Sequence, residues 1–161
     1  GRYIDFRNTL ILLTSNAGSD LITRMCDDPD LLPTPDAIAA SLREPLLKIF
    51  PAALLGRIVT IPYYPLSDQM LGNIVRLQLD RIVRLVKENH EADFSYSEDV
   101  VSLVASRCTE VESGGRMIDS ILTNTILPRV SESILMRMID QSPVSRIVVG
   151  VNGFDFTYEI S

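Results

Sequence analysis

The sequence is poor in the residues from which most catalytic and metal sites are built. Its 161 residues include a single histidine, His90, and two cysteines, Cys26 and Cys108, without metal-type spacing. A histidine-based metal cluster is therefore excluded, and a serine hydrolase would have to use His90 without the Gly-x-Ser-x-Gly turn that exposes the nucleophile. We expect His90 to be solvated and the two thiols to be free, as in a reducing cytoplasm.

Positive charge and long apolar runs are also scarce. The formal charge is −6, whereas a surface that follows nucleic-acid phosphates needs clustered lysine and arginine. Apolar runs such as Thr9 to Leu13 and Ile147 to Val151 are far shorter than the roughly 20 residues of a membrane-spanning helix. We therefore expect no nucleic-acid partner and no membrane span, and the first residues show no secretion signal.

The sequence lacks a phosphate cradle. A nucleotide-hydrolysing P-loop needs a Gly-Lys pair, because backbone amides hold the phosphates while the lysine neutralises them. No glycine in this chain is followed by lysine. The apolar run Leu10 to Leu13 continues into Thr14-Ser15-Asn16, so the acidic strand end that holds Mg²⁺ is missing too. By itself the chain is not expected to bind and cleave ATP in the usual way.

The apolar pattern of the first third predicts an α/β arrangement. Thr9 to Thr14 is typical of a strand buried on both faces, and Ile58 to Ile61 is a second candidate strand. Between them we predict a short helix from Ser19 or Asp20 to about Met25, and a helix over Asp36 to Leu47 that breaks or kinks near its internal proline. Pro62-Tyr63-Tyr64-Pro65 stops both strand and helix growth, so a domain boundary is predicted there.

The rest of the chain predicts a mainly helical α+β domain. Ser67 caps a helix whose apolar residues share one face, namely Leu71, Val75, Leu79, Ile82 and Val86. A brief strand at Phe94 to Tyr96 and a helix from Ser97 to about Arg107 follow. Arg116 to about Asp140 keeps the helical period, and a kink or restart of the helix is predicted at Pro128.

The last segment predicts a β-hairpin. Arg146 to Val151 and Phe154 to Ile160 have strand-like patterns, and the second alternates strictly between apolar and polar residues. Asn152-Gly153 between them is typical of a two-residue hairpin turn.

Asn16 closes the first of three polar motifs. The segments Asp5-Phe6-Arg7-Asn8-Thr9 and Thr14-Ser15-Asn16-Ala17-Gly18 resemble the sensor 1 strand of the Clp and Hsp100 chaperones, which are AAA+ ATPases. The resemblance implies that Asn16 orients the attacking water. From the residues alone, an Asx turn after the strand is an alternative role for Asn16.

Arg57 belongs to the second motif. Phe50-Pro51-Ala52-Ala53-Leu54-Leu55-Gly56-Arg57-Ile58 is similar to the family's segment ending in Asn-Arg-Ile. The resemblance implies that Arg57 is the arginine finger that reaches the γ-phosphate in the neighbouring subunit, a role that suits a permanently charged guanidinium. Gly56 replaces the usual asparagine and Pro51 is displaced by one position. A surface arginine that ends a helix is the alternative.

Arg116 belongs to the third motif. Ser113-Gly114-Gly115-Arg116-Met117-Ile118 resembles the sensor 2 motif Gly-Ala-Arg, with Gly115 in place of alanine. The resemblance implies that Arg116 contacts the nucleotide phosphates from a lid domain, whereas glycines before a helix can also indicate only a turn. The motifs follow one another in the family's order over essentially the whole chain.

The resemblance implies an α/β fragment of an AAA+ P-loop large subdomain at residues 1–64, and an α+β lid domain ending in a hairpin at 65–161. The complete module would use ATP with Mg²⁺, and no cofactor is expected to bind this chain tightly. Its partners would be the neighbouring subunits of a homohexamer and a threaded protein substrate.

Details of three segments favour one branch of the family. Phe50 to Arg57, Ile61 to Leu66 and Cys108 to Gly114 look more like ClpV, the type VI secretion ATPase, than like the disaggregase ClpB. This resemblance implies a cytoplasmic motor that recycles the subunits of contracted secretion sheaths. The alternatives are a ClpB-like disaggregase and a non-enzymatic α+β interaction module whose helices at Ser67 to Glu88 and Arg116 to Asp140 dock a partner.

Overall fold

The chain divides into two compact units in the computed structural model, which describes residues 5–108 and 114–161. Unit 1 is Gly1–Tyr64 and unit 2 is Pro65–Ser161. The division lies inside the proline-flanked segment in which the sequence predicts a boundary.

Unit 1 contains three α-helices and a short 3₁₀ turn. Helix α1 is Ser19–Met25, the 3₁₀ turn is Pro29–Leu31, α2 is Pro35–Leu47 and α3 is Ala52–Leu55. Thr34 caps α2, because its hydroxyl accepts a hydrogen bond from the Ala37 N–H at 3.3 Å.

The predicted break in the second helix does not occur. Pro45 lies inside the last turn of α2, which ends two residues later at Leu47. Pro45 has no N–H to bond the carbonyl four residues earlier, and the helix continues for only two residues after it.

Neither predicted strand of unit 1 is a strand in the structure. Leu10 to Leu13 are between 64% and 86% exposed, and Val59 is 86% exposed. A strand requires a hydrogen-bonded neighbour, and none of the described residues of unit 1 pairs with either segment. Both segments therefore have no regular secondary structure, and most of their apolar side chains are exposed.

Unit 2 begins with its longest helix. Helix α4 is Asp68–His90, strand β1 is Asp93–Tyr96 and α5 is Glu98–Ser106. Ser67 caps α4 as predicted, since its hydroxyl accepts a hydrogen bond from the Met70 N–H at 3.2 Å. The predicted apolar face of α4 is confirmed: Leu71, Val75, Leu79, Ile82 and Val86 are all buried.

The next helical stretch is continuous but changes type in the middle. Helix α6 is Gly114–Ile121, a π-helical turn covers Leu122–Ile126, and α7 is Leu127–Ile139. The N–H of Leu127 bonds the carbonyl of Leu122, five residues earlier. Pro128 has no backbone N–H, so one helical hydrogen bond is missing there. The wider π turn before it accommodates this gap, and the helix continues. The kink predicted at this proline is thus a π turn.

A three-stranded sheet completes unit 2. Strand β2 is Arg146–Asn152 and β3 is Asp155–Ile160, in the order β1-β2-β3. β1 pairs with β2 in parallel, and β2 with β3 antiparallel. The predicted hairpin is confirmed, but Asn152 pairs with Asp155, so its turn residues are Gly153 and Phe154. Gly153 has a φ of +64°, which favours glycine.

Candidate functional site

Asn16 lies in a tight turn that leads into α1. Its main-chain carbonyl accepts hydrogen bonds from the Ser19 N–H at 3.1 Å and the Ser19 hydroxyl at 2.8 Å. The Ser15 hydroxyl accepts from the Ala17 N–H at 3.1 Å. Among the described residues the carboxamide of Asn16 forms no hydrogen bond, and the residue is exposed. The turn is therefore held by its serines, and the Asx turn considered for Asn16 is not formed.

Gly18 fixes this turn against the helical layer. Its φ of +83° lies in the left-handed region, and a Cβ built there would lie 2.5 Å from Cδ2 of Leu42. Leu42 is buried in α2. Only glycine combines this backbone conformation with such a close approach, so Gly18 sets the position of Asn16 relative to α2.

Arg57 follows the short helix α3. Its N–H bonds the carbonyl of Leu54 at 2.9 Å, which continues the helical winding for one more residue. The side chain is exposed, and within the described residues it forms no salt bridge. An unpaired, exposed guanidinium is available to an anionic partner from outside unit 1.

Gly56 does not need to be glycine for backbone reasons. Its φ is −73°, and an added Cβ would meet only the Ala52 carbonyl at 3.5 Å, which is an ordinary contact. The asparagine that the family pattern has at this position would therefore fit, and the glycine does not by itself alter the path of the chain to Arg57.

The turn of Asn16 and the segment after Arg57 border the same cavity of unit 1. Its volume is about 280 Å³. Residues 58–63 line one part and residues 13–15 with Ala17 another, and side chains of α1, α2 and α3 together with Phe50 contribute the rest. The structure thus brings the two predicted strands to one cavity, although Asn16 and Arg57 do not themselves line it.

Arg116 lies in the first turn of α6 in unit 2 and is exposed. The helix is anchored one turn later, because Ile118 is fully buried and Leu122 is 2% exposed. A Cβ at Gly115 would meet nothing within 4 Å, so alanine, the family's residue, would fit there. The segment Thr109 to Ser113, part of the sensor 2 resemblance, lies outside the described residues.

Unit 2 also contains polar groups that the sequence did not single out. Arg76 pairs with Glu98 at 2.7 Å, which joins α4 to α5 and lowers the pKa of the Glu98 carboxyl. Burial, with a 2.7 Å hydrogen bond that the hydroxyl donates to Asp80, raises the pKa of Tyr96 to about 12. Arg107 lies over the Phe156 ring at 5.0 Å and donates to the carbonyl of Phe154.

These contacts pair residues from separate elements, so the amino-acid sequence alone does not indicate them. A basic residue at the end of α5 and an aromatic strand are the only signals, and neither identifies its partner. Arg76 lines an open cleft of about 390 Å³ between α4 and α5. Small side chains such as Gly72 and Ala105 line it.

Metal and membrane features are few in the described part of the chain. No group of three or more His, Cys, Asp or Glu side chains there is placed to hold a metal ion. None of its helices combines the length and apolar character needed to cross a membrane.

Comparison with known protein families decides what kind of chain this is. The model of the C-terminal D2-small domain of ClpB protein matches residues 66–149. The chain belongs to the Clp family. The match covers unit 2 up to residue 149 in β2 and includes Arg116, whereas Asn16 and Arg57 lie outside it.

Relatives in the Clp family match over the full length of the chain. AAA+ ATPase ClpV1 of Pseudomonas aeruginosa is 58% identical over 161 residues, and the chaperone protein ClpB of Yersinia enterocolitica is 42% identical over 161 residues. Both alignments cover 100% of this chain but 18% of the relative. The chain therefore spans about a fifth of the length of these two relatives.

A solved structure shows the same fold. The closed-state cryo-EM reconstruction of Hsp104 with ATPγS and FITC casein aligns with 91% of this chain and 25% of that chain, with a TM-score of 0.65 and 17% sequence identity. The predicted fold class, an AAA+ fragment followed by a mainly helical domain with a terminal hairpin, is confirmed by these matches. The resemblance to Clp and Hsp100 proteins is confirmed as well.

Proposed function

We propose that this chain is part of the second ATPase module of a hexameric Clp motor, and that it supplies the groups that complete an ATP site. The observation that carries the proposal is the 58% identity to a protein named AAA+ ATPase ClpV1, which spans all three polar motifs. The local geometry agrees with it, because Asn16, Arg57 and Arg116 are all exposed.

Each residue would have a different task in hydrolysis. The carboxamide of Asn16 would orient the attacking water, since it is not used by its own turn. Arg57 would stabilise charge on the phosphoryl group bound by the adjacent subunit, and Arg116 would contact the phosphates of its own subunit. ATP with Mg²⁺ would supply the transferable phosphoryl group and its charge neutralisation in the complete module.

Unit 1 would be the C-terminal part of the large subdomain, and unit 2 its lid. The exposed runs at Leu10 to Leu13 and Ile58 to Ile61 support this assignment of unit 1. Extended apolar segments of this kind are stable as strands when neighbouring strands cover them. The remaining strands would come from other parts of the longer polypeptide, which would also carry the Gly-Lys loop and the acidic strand end.

The substrate proposal follows from the more similar of the two relatives. We propose that the full protein disassembles and recycles contracted type VI secretion sheaths in the cytoplasm, as a ClpV-like motor. The 42% identity to ClpB of Yersinia enterocolitica favours protein disaggregation as the second candidate. Purified full-length protein separates them: a ClpV-like motor disassembles contracted sheaths, whereas a disaggregase reactivates heat-aggregated enzyme.

The roles of the residues are tested in the full-length protein. Arg57→Ala should lower ATP turnover by about 10³-fold or more while leaving nucleotide binding largely intact. Arg43→Ala is the matched control, since Arg43 is an exposed arginine of unit 1 outside the three motifs.

Arg116→Ala should instead weaken nucleotide affinity or uncouple nucleotide binding from turnover. Near-normal turnover in Arg57→Ala would refute the arginine finger, and unchanged affinity and turnover in Arg116→Ala would refute the sensor.

A further inference from the structure

Unit 1 ends in a tyrosine that is tied back to an earlier part of the same unit. The hydroxyl of Tyr64 donates a hydrogen bond to the carbonyl of Pro33, with 2.6 Å between the two oxygens. Every other side-chain hydrogen bond within the described residues of unit 1 joins residues at most four apart. Tyr64 therefore provides the long-range polar link that fixes the end of this unit.

Both partners of this hydrogen bond are held by prolines. Pro33 carries the acceptor, and Pro35 begins α2 just after the capping residue Thr34. Pro62 precedes the donor by two residues and Pro65 follows it directly. Proline fixes its own φ and restricts the residue before it. The bond thus joins two segments that have little conformational freedom to lose, which favours its formation.

The bond leaves a very short free segment between the two units. Unit 2 is fixed from Ser67 onward, because its hydroxyl caps α4. Only Pro65 and Leu66 lie between Tyr64 and this cap. Since the φ of Pro65 is fixed by its ring, few backbone rotations remain.

Without the bond the free segment would begin before Tyr64. Residues 62–64 contain no helix or strand, and Tyr63 is 83% exposed. Within the described residues, the bond to Pro33 is the only hydrogen bond that this segment forms. The tyrosine hydroxyl therefore decides whether rotation begins at Pro65 or several residues earlier.

We propose that Tyr64 is a positioning residue that confines the pivot between the two units to Pro65 and Leu66. The consequence for catalysis rests on the proposed function, in which unit 1 carries Asn16 and Arg57 while unit 2 carries Arg116. A short pivot restricts the orientations that unit 2 can adopt, and with them the approach of Arg116 to phosphate. In this proposal Tyr64 contacts no reacting atom. It acts only by fixing the path of the main chain at the end of unit 1.

The test uses Tyr64→Phe in the full-length protein, because this change removes only the hydroxyl. Tyr63→Phe is the matched control: Tyr63 is its neighbour, is 83% exposed and loses the same atom. Spin labels at Ala40 on α2 and Glu88 on α4, both exposed helix positions, report the distance between the units in a cysteine-free background. ATP turnover is measured on the same variants without labels.

Tyr64→Phe should broaden the label-to-label distance distribution, and Tyr63→Phe should leave it unchanged. Tyr64→Phe should also lower kcat by about threefold or more with KM for ATP nearly constant, because the positioning of unit 2 rather than phosphate binding is impaired. A distance distribution for Tyr64→Phe as narrow as that of the wild type would overturn the proposal. A broadened distribution together with full turnover in Arg57→Ala would uphold the pivot and refute the proposed function.

Discussion

Unit 1 and unit 2 place their apolar side chains in opposite ways. Among the described residues, only Ile38 and Leu42 of the buried hydrophobic side chains belong to unit 1, and all the others belong to unit 2. Unit 1 instead exposes apolar runs of strand composition, such as Leu10 to Leu13. Burial of apolar surface is the main stabilising contribution to folding. Unit 2 therefore carries its own core, whereas unit 1 leaves most of its large apolar side chains exposed.

The largest expected effect comes from separating the units. Residues 65–161 produced alone should unfold in one cooperative thermal transition, with a midpoint within about 5 °C of that seen in the whole chain. Residues 1–64 alone should show no cooperative transition, because two buried side chains do not make a core. Far-UV circular dichroism during heating measures both, and a sharp transition in residues 1–64 would contradict the comparison.

A matched pair of leucines compares the two units at the level of single side chains. Leu79 is fully buried and Leu12 is 80% exposed. In the isolated chain, Leu79→Ala should lower the free energy of unfolding by about 2–5 kcal/mol, and Leu12→Ala should change it by less than about 0.5 kcal/mol. Urea denaturation gives both values. In the full-length protein, where we propose that other strands cover Leu12, Leu12→Ala should lower the thermal midpoint.

A matched pair of glycines is expected to have the smallest effects. Gly18→Ala should destabilise unit 1 by about 1 kcal/mol or more, because alanine at positive φ is strained and its Cβ would clash with Leu42. Gly115→Ala should stabilise α6 by up to about 1 kcal/mol, since alanine favours a helix and meets nothing there. Chemical denaturation of the whole chain measures Gly115→Ala, and amide hydrogen exchange of α1 and α2 measures Gly18→Ala. Equal effects at both positions would show that the turn at Gly18 is not constrained as described.

The elements of unit 2 could be predicted because each carries its own local signal. Ser67 caps α4, and the apolar spacing that follows it matches the buried face. What the sequence did not reveal are details inside these elements, where a pattern fixes the element but not its hydrogen bonds. The π turn arises because the helix continues around Pro128, and the hairpin turn moves by one residue because Asn152 pairs with Asp155.

The strands of unit 1 were predicted from their composition, which indicates burial without saying what provides it. Leu10 to Leu13 read alone have the pattern of a central strand, yet their partners are not among residues 5–64. The candidate site residues were predicted through resemblance. Their exposure agrees with a site at the surface of each unit, while their roles remain predictions. The link from Tyr64 to Pro33 could not be predicted, since neither residue has a local pattern that indicates the other.

The parallel pairing of β1 with β2 has a consequence for how the protein is made. During synthesis β1 leaves the ribosome before α5, α6 and α7, and its partner strand follows only after them. Until then one edge of the nascent β1 lacks its hydrogen-bonding neighbour, and such long-range pairing forms slowly. β1 can therefore pair with β2 only after α5, α6 and α7 have been synthesised, so the sheet cannot be completed before the end of unit 2 has emerged.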